Sequence, residues 1–391
     1  MHDAPVYATV RTDHIRHNVS VLRAKAQPAK LMAVLKADAY GHGLHNVASL
    51  LQDLDVQAFA VARVHEAVAL REAGVHGLIL VLAPPTAAQL HTYVRYGLHV
   101  SVTSPAVAQL ICTASEAPVR AHMKVDTGMH RLGISWTEAP SWWSRLHDAS
   151  HVDAEGIYTH LATANDPDHP LNSTQLDRFA SVVGKLDPAP SVVHVANTDA
   201  LFQLTDTLPH AARYARTGLG LYGLTSTPTP DTRNISHKYS KSPDALAPAL
   251  SLETRVVHMH TVPKGETVSY GACWTAPADT CVATIGVGYG DGYPRAASGQ
   301  AHVRIGGQKR PVVGTVCMDL SMVDLGSPGG TLAKSTQVGD PVVLFDAHGP
   351  TLHDVARWSG TIPYEVACQL ATRVPRHYRA APSLTANNGT I

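Results

Sequence analysis

Between about residue 13 and residue 225 the chain repeats one pattern eight times: an apolar run of strand length, then a stretch with helical spacing. The runs are LMAVLK (Leu31–Lys36), AFAVA (Ala58–Ala62), GLILVL (Gly77–Leu82), HVSVT (His99–Thr103), RAHMKVD (Arg120–Asp126), AEGIYTHL (Ala154–Leu161), SVVHVAN (Ser191–Asn197) and YARTGLGLYG (Tyr214–Gly223). STQLDRFASVVGKL (Ser173–Leu186) is typical of the intervening stretches, with a hydroxyl residue as cap, apolar positions at helical period and a lysine near its end. Eight such units in about 200 residues suit a closed parallel (β/α)8 barrel. An open doubly wound sheet is the alternative, but AYGHG after the first run is not the Gly-x-Gly-x-x-Gly turn that sheet would carry.

The pattern changes after Tyr222. Residues Ser226–Pro248 are rich in Pro, Ser, Thr and Asp and read as a linker. From Ala249 onward short β runs dominate (SLETRVVHMHTV, TVSYG, VATIGVGYG, AHVRIGG, KRPVVGTV, LSMVDLG, DPVVLF), with one clear helix near Leu352–Ser359. The fold class expected is therefore α/β: a TIM-like barrel over residues 13–240, then a mainly β domain over 241–391. The early run PVYATV (Pro5–Val10), within residues 1–12, is expected to pair with that second domain. A chain of 391 residues is long enough for two cores.

Charge narrows the partners. Lys plus Arg equals Asp plus Glu at 31 each, with no basic block, so neither nucleic acid nor an anionic membrane is expected as a partner. The 24 histidines are scattered without metal-ligand spacing, so no metal is expected. The N-terminal stretch has no apolar run after a basic start and does not read as a secretory signal. Five cysteines without a CxxC pair suit reduced thiols, and the expected location is cytoplasmic.

Barrels of this kind carry their reactive groups at the C-terminal ends of the strands. Lys36 ends the first run, in LMAVLKADAYGHG, with Tyr40 just beyond it. A lysine at the end of a buried strand is disfavoured unless it meets a pocket, and a partly desolvated amine there suits a Schiff base with an aldehyde. Lys124 lies in the fifth run and Arg131 follows it; His160 closes the sixth; Asn197 and Thr198 close the seventh; Arg216 stands in the eighth, before Thr217, Gly218 and Leu219. Thr198 opens a helix-like stretch and Gly218 leaves its backbone N–H groups bare, which together suit a phosphate seat. A lysine facing a phosphate seat across a barrel mouth is the layout pyridoxal 5′-phosphate needs.

VLKADAYGHG, MKVDTGMHRLG, YTHLATA, HVANT, ARTGLGLYG, VSYGA, GVGYGDGYPR, CMDLSMVDLG, IPYEV and RVPRHY occur in this order over nearly the whole chain. Together they resemble the alanine racemases, fold-type III pyridoxal-phosphate enzymes that interconvert L- and D-alanine. The resemblance implies that Lys36 holds the cofactor's aldehyde and acts as one base, with Tyr270 of VSYGA as the other on the opposite face. It implies that Arg216 faces the pyridine nitrogen and that His160 orients Arg216. Tyr40, Asn197, Thr198, the backbone of Gly218 and Leu219, and Tyr364 would bind the cofactor. Arg131 would meet the substrate carboxylate, and Lys124 would be a carbamylated lysine holding Arg131. Met318 and Asp319 would approach the substrate from the second domain. An access corridor would be lined by Asn165, Tyr289, Arg295, Ile362 and Tyr364. Asn165 and Thr198 depart from the family's commoner aspartate and serine; the first removes a charge near the mouth and the second keeps a hydroxyl. Thr315 stands where some members have arginine. The resemblance further implies a homodimer whose active site is shared between subunits, and a role in supplying D-alanine for peptidoglycan.

Three other readings share parts of these motifs. A pyridoxal-phosphate decarboxylase has the same architecture but prefers glutamate at the pyridine nitrogen, against Arg216. A cofactor-homeostasis protein would be the barrel alone. A broad-specificity or serine racemase would keep most of the pattern.

Overall fold

In the computed structural model the described residues are 4–114, 117–209, 211–226 and 245–380. Most of the segment expected to be a linker, residues 227–244, therefore lies outside the described residues. The chain divides into two compact units, one of Arg16–Leu246 and one that joins Met1–Ile15 to Ala247–Ile391.

The N-terminal strand, β1 (Val6–Arg11), belongs to the second unit. The first unit holds β2 (Lys30–Val34), β3 (Ala58–Val61), β4 (Leu78–Val81), β5 (His99–Val102), β6 (Val119–Asp126), the two-residue β7 (Ile134–Ser135), β8 (Val152–Tyr158), β9 (Val192–His194) and β10 (Tyr214–Thr217). Their order is β5-β4-β3-β2-β10-β9-β8-β6-β7, and β5 also pairs with β6. With β7 hanging on β6, the other eight close a barrel in which every pair is parallel. Closure leaves no edge, and helices on the outer face bury the other side of each strand, which is why β3 and β5 are buried at every position.

Four strands stop two or more residues earlier than their apolar runs. The first ends at Val34 instead of Lys36, the sixth barrel strand at Tyr158, the seventh at His194 and the eighth at Thr217. The apolar pattern reports burial, and the chain stays buried for a few residues after the ladder hydrogen bonds end. The helix expected at Ser173–Leu186 runs from Leu171 to Val183, with Pro170 as N-cap in place of a hydroxyl residue.

The second unit is an antiparallel assembly around the long β11 (Leu250–Val262). It adds β12 (Thr267–Val268), β13 (Trp274–Thr275), β14 (Thr280–Ile285), β15 (His302–Ile305), β16 (Gln308–Val313), β17 (Ser321–Gly326), β18 (Pro341–Phe345) and β19 (Arg376–Arg379). The order is β14-β17-β16-β15-β18-β11-β1-β19, and β14 also pairs with β11. β1 lies antiparallel to β11 and parallel to β19. Val262, Val268, Ala276, Val282, Val313 and Met322 pack together, with Trp274 and Cys317 against them. Two short helices, Thr331–Ser335 and Pro363–Cys368, join the expected one, which spans Leu352–Trp358 and is capped by Thr351. Each is too short for its period to stand out in sequence. Among the described residues no helix is long and apolar enough to cross a membrane.

Candidate active site

At the mouth of the barrel the chain leaves β2 through Leu35 and enters a left-handed turn. Ala37, Asp38, Ala39 and Tyr40 all have φ near +53°. For residues with a Cβ this conformation is disfavoured by about 1–2 kcal/mol each. The turn is held from outside: the Ala37 N–H donates to Glu66 Oε1 at 2.7 Å and the Leu44 N–H to Asp38 Oδ1 at 2.7 Å. Lys36 thus opens a turn instead of ending a strand, and its Nζ lies 5.7 Å from the centroid of the Tyr40 ring.

Tyr40 is buried and reaches the turn after β10. A Cβ on Gly218 would sit 2.7 Å from the Tyr40 hydroxyl, so this close approach requires glycine. Thr198 is buried and its Oγ1 accepts the Gly220 N–H at 3.1 Å; its methyl fills the space beside Gly220. Asn197 caps the helix Thr198–Gln203 by accepting the Ala200 N–H at 2.9 Å, so its oxygen serves the helix that carries Thr198. The Thr217 hydroxyl, next to Gly218, is buried with no hydrogen-bond partner among the described residues.

Arg216 is buried and multiply held. Its Nη1 donates to His194 Nδ1 at 2.9 Å and His194 O at 2.8 Å; its Nη2 donates to Thr159 O at 2.7 Å and Val195 O at 2.9 Å. Four of its five N–H groups are thereby occupied, and Nε–H has no partner among the described residues. Burial lowers the guanidinium to about 10, which leaves it charged and donating at neutral pH. His160, expected to orient Arg216, makes only a 3.4 Å contact with Nη2. The shorter contact comes from His194, a residue of the HVANT motif to which no role attaches from the sequence; the clue there is a histidine ending a strand buried on both faces. His194 stacks on Tyr158, with ring centroids 4.7 Å apart and planes 8° from parallel, and Arg216 lies over the same tyrosine at 5.2 Å.

The site is strongly cationic. Burial holds the His160 imidazole far below its usual value, and Arg216, Arg131, Lys124 and Lys36 push the same way. Lys124, buried in β6, is brought down to about 8, first by burial and then by Arg131 and Arg216, against the attraction of Asp126. Burial pushes the Asp126 carboxyl up, but N–H groups of His130 and Gly128, each at 3.0 Å, outweigh it and leave the carboxyl below its ordinary value. These bonds shape the turn that carries Arg131. Asn165 is half-buried on the loop before the helix Leu171–Val183.

The remaining candidates lie in the second unit. The Tyr270 backbone sits in a tight turn, after Ser269 at φ 71° and before Gly271 at φ 77°, so TVSYG is a strand only as far as Val268. Thr315 Oγ1 donates to the Tyr270 carbonyl at 2.8 Å and braces that turn. The Tyr289 N–H donates to Cys317 O at 3.0 Å, which sets Tyr289 beside Met318. The side chains are left outward: Tyr270 is 74% exposed, Met318 54%, Tyr289 42% and Ile362 41%. Asp319 is held by Arg373 at 2.7 Å, and Arg373 also binds Asp291 at 2.8 Å. A cleft of about 380 Å³ brings Tyr289 and Arg295 together with Thr361 and Glu365, on either side of Ile362 and Tyr364.

Residues 10–226 match the family described as "Alanine racemase, N-terminal domain", and residues 249–378 match "Alanine racemase, C-terminal domain". The chain belongs to the alanine racemase family. Among curated relatives, the alanine racemase of Deinococcus radiodurans is 38% identical over 92% of this chain and 95% of its own length. That of Desulfosudis oleivorans is 36% identical over 97% of each. Among solved structures, the alanine racemase of Clostridium difficile 630 superposes with a TM-score of 0.87 at 31% identity, covering 97% of both chains. The enzyme from D-cycloserine-producing Streptomyces lavendulae gives 0.84 at 32%, covering 97% of this chain and 98% of its own. The barrel and the β unit are thus those of alanine racemases, and both units carry family motifs.

Proposed function

We propose that this protein is a pyridoxal 5′-phosphate-dependent racemase that interconverts L- and D-alanine, acting as a cytoplasmic homodimer and supplying D-alanine for peptidoglycan. The observation that carries this reading is the convergence of Lys36, Lys124, Arg131 and Arg216 on His160 at the barrel mouth. Four cations around one neutral imidazole suit a ligand pair with a phosphate and a carboxylate. The orphaned Thr217 hydroxyl and the bare backbone at Gly218 fit the cofactor's oxygen-rich end.

The cofactor supplies an electron sink that acidifies the substrate's Cα–H. Lys36 holds the cofactor and serves as the base on one face. Tyr270 serves as the base on the other, entering from the partner subunit; its outward, braced position supports that assignment. Racemisation removes a proton from one face and returns one to the other, and two bases do so without turning the substrate. Arg216 offers its remaining Nε–H to the pyridine nitrogen. A group that only donates keeps that nitrogen unprotonated and the sink weak, which discourages transamination and disfavours the decarboxylase reading.

Arg131 binds the substrate carboxylate. Lys124, at about 8, carries a sizeable neutral fraction near pH 7, and a neutral amine takes up carbon dioxide to give a carbamate anion with release of a proton. That anion would hold Arg131, whereas the ammonium repels it. Tyr40, Thr198, the amides of Gly218 and Leu219, and Tyr364 receive the phosphate, with Asn197 securing Thr198. Asn165, Tyr289, Arg295, Ile362 and Tyr364 line the substrate's access, and Met318 and Asp319 border the substrate.

Chiral chromatography of L-alanine incubated with the purified protein and pyridoxal phosphate is the deciding experiment. Progress to equal L and D is expected, because enantiomers have equal free energy. No D-alanine from protein that visibly holds the cofactor would overturn the assignment in favour of another amino acid or a cofactor carrier.

A further inference from the structure

Inside the barrel, behind Arg216, three buried histidines are strung together. His194 Nε2 lies 3.0 Å from His122 Nδ1, and His122 Nε2 lies 3.1 Å from His99 Nδ1. Glu155 Oε2 stands 3.4 Å from the same His99 nitrogen and Glu155 Oε1 3.5 Å from Arg120. His99 is the first residue of β5, so the string runs from the N-terminal end of the barrel to the mouth. Gly156, in β8, makes room for it: a Cβ there would lie 2.4 Å from His122 Nδ1. A bare glycine inside a strand weakens the strand, and here it admits a ring.

The string has only one consistent polarity. Arg216 can only donate, so His194 Nδ1 must accept and the proton of His194 sits on Nε2. His122 Nδ1 must then accept, which puts its proton on Nε2, and His99 Nδ1 must accept in turn. A proton added at His99 Nδ1 would reverse every member and set His194 Nδ1–H against an Arg216 N–H at 2.9 Å.

We propose that His194, His122 and His99 form a one-way hydrogen-bonded relay that fixes the orientation of Arg216 from the far end of the barrel, making His122 and His99 positioning residues for the group facing the cofactor's ring nitrogen. The proposal rests on the assignment of Arg216 given above. Arg71 and Arg120 facing His99, and Arg216 facing His194 and His122, favour neutral rings; the Glu155 carboxyl beside His99, itself flanked by Asp153 and Arg120, is the one group that opposes them. His99, His122 and Glu155 also have the spacing of a three-ligand metal site. The relay denies that use, since His122 Nε2 carries a proton where a metal needs a lone pair.

Nitrogen-15 NMR of the histidine-labelled protein, with and without cofactor, reads the relay directly. Three neutral Nε2–H rings, unchanged between about pH 6 and 9, are expected from the buried, bonded imidazoles. An Nδ1–H ring at His194 or His122, or one stoichiometric zinc ion that is lost in His99→Ala, overturns it. A second arm uses His122→Asn, whose Oδ1 can still accept from His194, and His122→Phe, which fills the space better but accepts nothing. The ratio of transamination to racemisation is expected to rise about tenfold in Phe, the scale of one charge-assisted hydrogen bond, and to stay near the parent in Asn. The opposite order would mean that packing alone matters. Absence of racemisation in the parent would sink the functional assignment while leaving the NMR result to stand or fall by itself.

Discussion

Arg216 concentrates the chemistry of the barrel in one side chain. Its guanidinium is surrounded by three carbonyls and an imidazole, and its Nε–H alone is left without a partner among the described residues. Replacing it by glutamate inverts the logic, because a carboxylate stabilises a protonated ring nitrogen and strengthens the electron sink. Arg216→Glu is expected to lower the racemisation rate by at least about 100-fold, as expected for losing a positioned electrostatic contact, while side transamination rises. Both are measured from one reaction by chiral chromatography and pyruvate release, and an unchanged racemisation rate would refute the role. The motif ARTGLGLYG marks Arg216 in sequence. His194 touches it directly but is marked there only by ending a buried strand, since its partner is 22 residues away and is met only when β9 and β10 pair.

At the scale of elements, the site is made by turns more than by strands. The left-handed turn Ala37–Tyr40 and the Gly218 turn meet through the Tyr40 hydroxyl. Gly218→Ala places a methyl within 2.7 Å of that hydroxyl, and the shift needed to relieve it should weaken cofactor binding by about tenfold or more, the effect of roughly 1.4 kcal/mol of strain. Fluorescence titration with pyridoxal phosphate checks this, and an unchanged dissociation constant would show that the two turns do not share a ligand. The histidine string makes a separate statement about stability. Burial takes His122 down to about 3 and His99 to about 2, so the folded protein leaves them neutral while the unfolded chain protonates them below about pH 6.5. The unfolded state then binds more protons, so stability falls as pH drops from about 6.5 towards 3, by up to about 1.4 kcal/mol per pH unit for each ring. The melting temperature of the parent should decline over that window, and that of His122→Phe should decline less steeply. Equal slopes would remove His122 from the account.

At the scale of the whole molecule, the second unit turns an apolar set outward: Tyr270, Met318, Tyr289 and Ile362. These large exposed apolar residues carry the family's motifs, and they are the ones the proposed homodimer would cover. A mixture of Lys36→Ala and Tyr270→Phe proteins, each inactive, should regain up to about a quarter of parental specific activity after subunit exchange, because random pairing puts half the subunits in mixed dimers and each mixed dimer has one intact site. Dimers that form without regaining activity would show that Tyr270 acts within its own chain.

The sequence by itself determined the architecture and nominated the reactive groups. Burial on both faces of a parallel strand writes a continuous apolar run, and a closed barrel writes it eight times; the motif residues stand at the ends of those runs. The same runs overstate strand length at Lys36, His160 and Asn197, because hydrophobicity registers burial and not hydrogen bonding. Only the tertiary structure decided what surrounds each group. The left-handed backbone beyond Lys36 depends on Glu66 and Asp38, the depressed Lys124 amine on Arg131 and Arg216, and the polarity of three histidines on a single arginine. Most of these join residues far apart in the chain, and even the local ones depend on distance and burial, which a one-dimensional pattern does not encode.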